Sequence, residues 1–303
     1  MVIRRLVVGV DASAPSRAAI RWATAHAAGF GAEVLLVHVA DDEWGTVGSV
    51  LIDEVDDQAG RTLSAAEAFA RSLHPDVPVR TELRRGSPMV ELAAFSEPGT
   101  ALVVGTHKTG FHYGRAFGSR SLQLANLATG PVAVIPGVSS RLRSGVVVGV
   151  DDTPAGEAAV DLAADLAASH ACELLAVRSS GASTAVDIER DDQREDWQRR
   201  RDDDARALMS AVLDRARRRQ PAIVIRARVV RRPAGMALNE LARSAELLVI
   251  GDSRRAEARL GTLGAVAYDV LLNVSSPTLV VHAPLDVERV DARNTEGEHD
   301  AIG

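Results

Sequence analysis

Residues 105–119 read Gly-Thr-His-Lys-Thr-Gly-Phe-His-Tyr-Gly-Arg-Ala-Phe-Gly-Ser, with glycines at 105, 110, 114 and 118. A strand-like run, Leu102–Val104, precedes the segment, and a helix is predicted to start near Ser119. A glycine-punctuated loop that opens onto a helix N-terminus can hold an anion, because free backbone N–H groups and the positive end of the helix dipole converge there. Glycine lets the backbone approach an oxyanion without a Cβ in the way. Ser119 can cap the helix and donate its hydroxyl.

The charge around the loop agrees. No Asp or Glu occurs between Glu97 and Asp151, whereas Lys108, Arg115, Arg120, Arg141 and Arg143 do. In a chain of net charge −6, an acid-free basic stretch around such a loop is an anion-site signal. Lys108 is the only lysine of the chain. A lysine delivers a compact point charge to a phosphate, where the arginine fork needs more room. The loop is not a Walker A motif, since Phe111 stands where the lysine would have to be. Nor is it a dinucleotide fingerprint, since it follows the fourth predicted strand rather than the first.

The pentapeptide Val-Val-Gly-Val-Asp explains what must position this loop. It occurs at Val7–Asp11 and again at Val147–Asp151. With the same spacing of 140, Glu33 matches Glu173 and Val37 matches Val177. After an insertion the spacing becomes 146, and Gly105 matches Gly251, Gly118 matches Gly264 and Pro131 matches Pro277. A period this long marks duplicated domains, not a solenoid.

Each unit reads as strands alternating with helices. In the first, strands are predicted at Leu6–Val10, Val34–Val39, Val79–Leu83, Leu102–Val104 and Val132–Ile135. Helices are predicted near Ser16–Ala28, Asp56–Ser72, Pro88–Phe95 and Ser119–Ala128. The short, β-branched, nearly continuous apolar runs are those of strands buried on both faces. The expected fold is α/β: two tandem, open, five-stranded parallel sheets of Rossmann-like type. Unit one spans 1–137 and unit two 145–283, with an acidic, disordered tail over 284–303. Asp11 and Asp151 then sit at the tip of the first strand of each unit, where open parallel sheets bind ligands.

Composition bounds the function. A length of 303 residues, 46% hydrophobic and 25% charged, suits a globular protein of two domains. The negative balance argues against a general nucleic-acid binder. No apolar run reaches the roughly 18 residues of a membrane span. The chain enters a strand at Ile3, leaving no room for a signal peptide, and the single cysteine, Cys172, forbids an internal disulfide, so a cytoplasmic location is expected. The dense charges of Glu189–Arg219, with Trp197, Leu208, Val212 and Ala216 at helical spacing, predict an amphipathic helix with an ion-paired outer face. No metal-ligand spacing occurs: His107 and His112 have no cysteine or carboxylate between them, and the other histidines are scattered. His38, at the end of a strand, reads as a packed, hydrogen-bonded residue. No catalytic residue is identified, and no nucleophile elbow exists.

The chain resembles a tandem bacterial universal stress protein over roughly residues 2–283. The resemblance rests on Gly-Val-Asp-x-Ser at the end of the first strand (Val7–Ser13), on Leu36-Val37-His38-Val39 and on Val103-Val104-Gly105. It continues through Gly118-Ser119 and Gly130–Pro136. The ATP-binding pattern of that family is Gly-x2-Gly-x9-Gly-(Ser/Thr). The resemblance implies that Asp11 bonds the adenine or ribose side of a nucleotide and that Val39 offers backbone groups to the base. It implies that Gly105 opens the phosphate loop and that Gly118 and Ser119 bind the phosphates. Lys108 departs from the pattern at its second glycine, with Gly110 supplying flexibility two residues later. With Arg120, these are the expected ATP-binding residues, and Mg²⁺ is an expected companion that Asp11 could hold through water. The last strands of family members pair between subunits. Here Val132–Ile135 and Thr278–Val281 are expected to pair within the chain as a pseudo-dimer, with a homodimer left open.

Unit two keeps Asp151 but has Ser179 at the place of Val39, Arg254 at that of Lys108 and Ala265 at that of Ser119. Asp252 and Glu257 add like charge against a phosphate. Binding is therefore expected in unit one, without efficient turnover, because no general base is evident there. The alternatives are a slow ATPase or nucleotide hydrolase, and an interaction module that has lost the nucleotide.

Overall fold

The computed structural model describes residues 2–41, 49–106, 120–137, 143–181, 191–252 and 262–282. Unit one comprises β1 (Arg5–Gly9), α1 (Ala14–Phe30), β2 (Glu33–Ala40), α2 (Ser49–Leu73), β3 (Val79–Arg85), α3 (Pro88–Ala93), β4 (Thr100–Thr106), α4 (Arg120–Leu127) and β5 (Val132–Pro136). Unit two repeats the order as β6 (Val146–Gly149), α5 (Pro154–Ser169), β7 (Leu174–Ser179), α6 (Asp191–Arg219), β8 (Ile225–Val230), α7 (Ala234–Ala242), β9 (Leu247–Asp252), α8 (Ala265–Leu272) and β10 (Thr278–His282). The expected alternation of strand and helix is observed in both units. The tail, 284–303, lies outside the described residues.

The ten strands of the described residues form one sheet, ordered β3-β2-β1-β4-β5-β10-β9-β6-β7-β8. Every neighbouring pair is parallel except β5 and β10, which run antiparallel with Ala133 opposite Leu279. Each last strand, at the edge of its own unit, thus meets the other. Among the described residues the edges of this sheet are β3 and β8. They carry Arg80, Arg84 and Arg85, and Arg226 and Arg228, and charge on an edge strand discourages pairing with another chain.

Alternation within strands divides the core. Leu6 and Val8 face one layer, with α1, α2, α5 and α6, while Val7 faces the other, with α3, α4, α7 and α8. The helices nearest the centre lie close on the sheet because their inner stripe is small. Ala19, Ala23 and Ala27 of α1 and Ala159, Ala163 and Ala167 of α5 are all fully buried. Both helices start on a cap followed by proline: Ser13 before α1 and Thr153 before α5, each accepting a backbone N–H of the first turn. Helix α1 ends on Gly31 in the left-handed region (φ 64°).

Helix α6 is amphipathic as its sequence predicts, with Met209, Val212 and Ala216 buried. Its ion pairs, however, reach across to α5 as well as along the helix. Arg215 pairs with Asp161 (2.7 Å) and Glu157 (2.9 Å), and Arg219 with Asp165 (2.6 Å). Among the described residues, no helix is long and apolar enough to cross a membrane.

Candidate functional site

In unit one the strand order reverses between β1 and β4, which leaves a crevice at the carboxyl ends of the strands. Of the eight residues singled out by sequence, Asp11, Val39, Gly105 and Arg120 fall among the described residues, and all four line this crevice. Lys108, Gly110, Gly118 and Ser119 lie outside the described residues. The cavity is small, about 110 Å³, against the several hundred cubic ångströms of most ligand pockets.

Asp11 is exposed, and its Oδ1 accepts the Ser13 N–H at 3.0 Å. Its own N–H donates to Ser16 Oγ (3.1 Å), so the first turn of α1 sets the strand tip. Arg120 begins α4 and is exposed. One carboxylate and one cation therefore face the same crevice, the first able to accept from a ribose or base or to reach a metal ion, the second able to meet an anion.

Gly105 carries a structural duty that sequence did not reveal. A Cβ at Gly105 would lie 2.3 Å from the backbone carbonyl of Pro15. Glycine is demanded there by the start of α1 pressing on the end of β4, whatever else the position does. Gly251 meets the same demand in unit two, with Ala155 at 2.6 Å. His38 donates from Nδ1 to Val10 O at 2.7 Å, tying β2 to the tip of β1. Arg178 stands 140 residues on and makes the same tie, to Val150 O at 3.0 Å. Replacement of an imidazole by a guanidinium in one duty marks His38 as the packed, hydrogen-bonded residue its place in sequence suggested.

Unit two has the larger cavity, about 570 Å³, with an apolar lining that includes Val177, Leu238, Ile250 and Leu263. Its charged groups are occupied by the protein itself. Asp151 accepts from Thr153 N (3.1 Å) and Thr153 Oγ1 (2.6 Å). It folds against α5 where a Cβ at Gly156 would stand 1.8 Å from its Oδ1. Unit one has Ser16 at that place. Asp252 is 1% exposed and accepts the Gly264 N–H at 2.8 Å, while its other oxygen lies 3.2 Å from His282 Nδ1. Gly264 caps α8 and corresponds to Gly118. The first free N–H of that helix therefore already holds a carboxylate. The residue 146 positions earlier, Thr106, carries no charge.

The universal stress protein family model matches residues 3–136 and 144–282, so the chain belongs to this family and carries two of its domains. A universal stress protein of Mycolicibacterium smegmatis is 28% identical over 290 residues, covering 91% of this chain and 96% of the relative. One of Mycobacterium tuberculosis is 28% identical over 308 residues, 93% and 96% of the two chains. The fold resembles the crystal structure of a universal stress protein from Archaeoglobus fulgidus, with a TM-score of 0.69 at 15% identity, covering 93% of this chain and 97% of that one.

Proposed function

We propose that this universal stress protein binds ATP in unit one and acts as a nucleotide-dependent regulatory protein. The observation that carries the reading is convergence: the four described residues expected to bind the nucleotide line one crevice at the switch point of their sheet. Asp11 would take the ribose or base, and Val39 would offer backbone groups to the base. Gly105, Lys108 and Gly110 would bring the chain past the phosphates to Gly118, Ser119 and Arg120 at the start of α4. The donor set fits such a ligand, with the Asp11 carboxylate and, at the start of α4, the Arg120 guanidinium lining one crevice. Mg²⁺, if it accompanies the phosphates, would be reached by Asp11 through water, since Mg²⁺ on a nucleotide commonly takes one or two carboxylates. In this reading ATP is retained rather than turned over, and analysis of products after incubation with ATP tests it.

The asymmetry follows from Asp252. A phosphate approaching α8 would meet a buried carboxylate already bonded to Gly264 N–H. Calorimetric titration of the full chain with ATP is expected to give one site, and Ser119→Ala to weaken it. The larger cavity in unit two supports a competing reading, in which the nucleotide goes there. Two equivalent sites, or one site unaffected by Ser119→Ala, would overturn the assignment to unit one.

A further inference from the structure

Where the two units meet, on the α1 and α5 side of the sheet, three side chains from distant parts of the chain come together. His26 belongs to α1 of unit one. His170 ends α5 and Glu246 precedes β9, both in unit two. One ligating atom from each lies within 4.8 Å of the others. The imidazoles of His26 and His170 are 4.7 Å apart between ring centres, and His170 Nδ1 donates to Glu246 Oε1 at 2.8 Å.

His26 is the informative member. It is 3% exposed. Its Nδ1 lies 2.8 Å from Trp22 O, and a carbonyl can only accept, so Nδ1 carries the hydrogen. That leaves Nε2 with a lone pair, buried and without a hydrogen-bond partner among the described residues. A buried acceptor left unmet is destabilising unless something fills its place. Imidazoles that bind metals commonly have this arrangement, with the remote N–H fixed by a backbone carbonyl and the free nitrogen aimed at the ion.

The duplication sharpens the point. The positions equivalent to His26, His170 and Glu246 in the other unit are Leu166, Phe30 and Thr100. The fold thus accommodates an apolar side chain where His26 stands, and Leu166 is fully buried. The polar set is built at one of two related places only.

We propose that His26, His170 and Glu246 form a zinc site that joins the two units. Two imidazoles and a carboxylate are an established zinc donor set, whereas Mg²⁺ and Ca²⁺ prefer oxygen alone. Ligands about 2.0–2.2 Å from one ion stand roughly 3.4 Å apart in a tetrahedron, so side-chain adjustment of about 1 Å closes the site. Entry is from the Glu246 side, where that side chain is 39% exposed. The ion would link α1 of one unit to the end of α5 and the start of β9 in the other, independently of any nucleotide.

The test uses the full chain, stripped with a chelator, with Zn²⁺ alone as the probe and no ATP present. Equilibrium dialysis with metal analysis is expected to give one tightly held Zn²⁺ per chain. His170→Ala and Glu246→Gln, at partly exposed positions that should still fold, are expected to weaken it at least 100-fold and 10-fold respectively. Co²⁺ in the same site should show the visible absorption of a four- or five-coordinate ion, lost in both variants. A water bridging Trp22 Nε1 and His26 Nε2, neither of which has a partner among the described residues, would satisfy both atoms without a metal. No stoichiometric Zn²⁺, or Zn²⁺ retained equally in both variants, would overturn the proposal.

Discussion

Gly105 and Lys108 stand three residues apart, and their substitutions should fail in different ways. At Gly105 any side chain collides with Pro15 backbone. Gly105→Ala should cost about 1–3 kcal/mol by overpacking and lower the thermal midpoint before any question of binding arises. A variant as stable as the parent would show that α1 can retreat from β4. Lys108→Ala should leave stability unchanged and weaken ATP more than AMP, because AMP presents fewer charges for the ammonium to neutralise. Lys108→Arg should restore binding only in part. Equal losses for the two nucleotides, or none, would make Lys108 a solvated loop residue. Ser119→Ala removes a hydroxyl donor to a charged group and should cost roughly 1–3 kcal/mol of ATP affinity.

Helix α6 adds ion pairs with α5 and with Arg231 to its buried apolar face, and its acid response should show them. Arg231 donates from Nε to Asp202 Oδ2 at 2.9 Å and holds that carboxyl down to about 2. Arg215 likewise holds Asp161 below the usual carboxylate range. A carboxyl lowered in the folded state contributes stability that is fully present above its unfolded value near 3.9, and that is lost as pH falls through the folded value. Stability should therefore drop between about pH 4 and pH 2, and Asp202→Asn should flatten that drop. Denaturant midpoints across this range measure it. A slope unchanged by Asp202→Asn would mean that Asp202 and Arg231 contribute little net stability.

At the scale of the molecule, the antiparallel junction of β5 and β10 makes two units into one sheet. It is reinforced on the other face, where Asn126 Oδ1 of α4 accepts the Leu263 N–H ahead of α8 at 2.8 Å. Leu279 lies at the centre of this junction, opposite Ala133, and both are buried. Leu279→Asp would bury an unpaired charge there, at a cost of about 3–5 kcal/mol. Calorimetry of the parent should show a single unfolding transition, and the variant two. A variant that still melts in one step would mean that the units are coupled elsewhere.

The duplication, the strand and helix order and the parallel sheet were legible in the residues themselves, because a two-faced buried strand and a capped, alanine-rich helix are local patterns. Val-Val-Gly-Val-Asp ends a strand in both units for reasons contained in its own few residues. Asp252 was visible in sequence as an acid in unit two, but only the fold places its oxygen on Gly264 N–H. The glycine at 105 read as a loop residue, and the tertiary structure gave it a second cause, the approach of Pro15, which lies 90 residues earlier. His26, His170 and Glu246 left no sequence signal at all. They are separated by 144 and 76 positions and follow no ligand spacing, because the two units had to join before α1 could face the end of α5. Periodicity and caps act within a segment, so sequence alone determined the units. Contacts between segments depend on how sheets join and helices stack, so the junction, and the chemistry gathered at it, were decided by the tertiary structure.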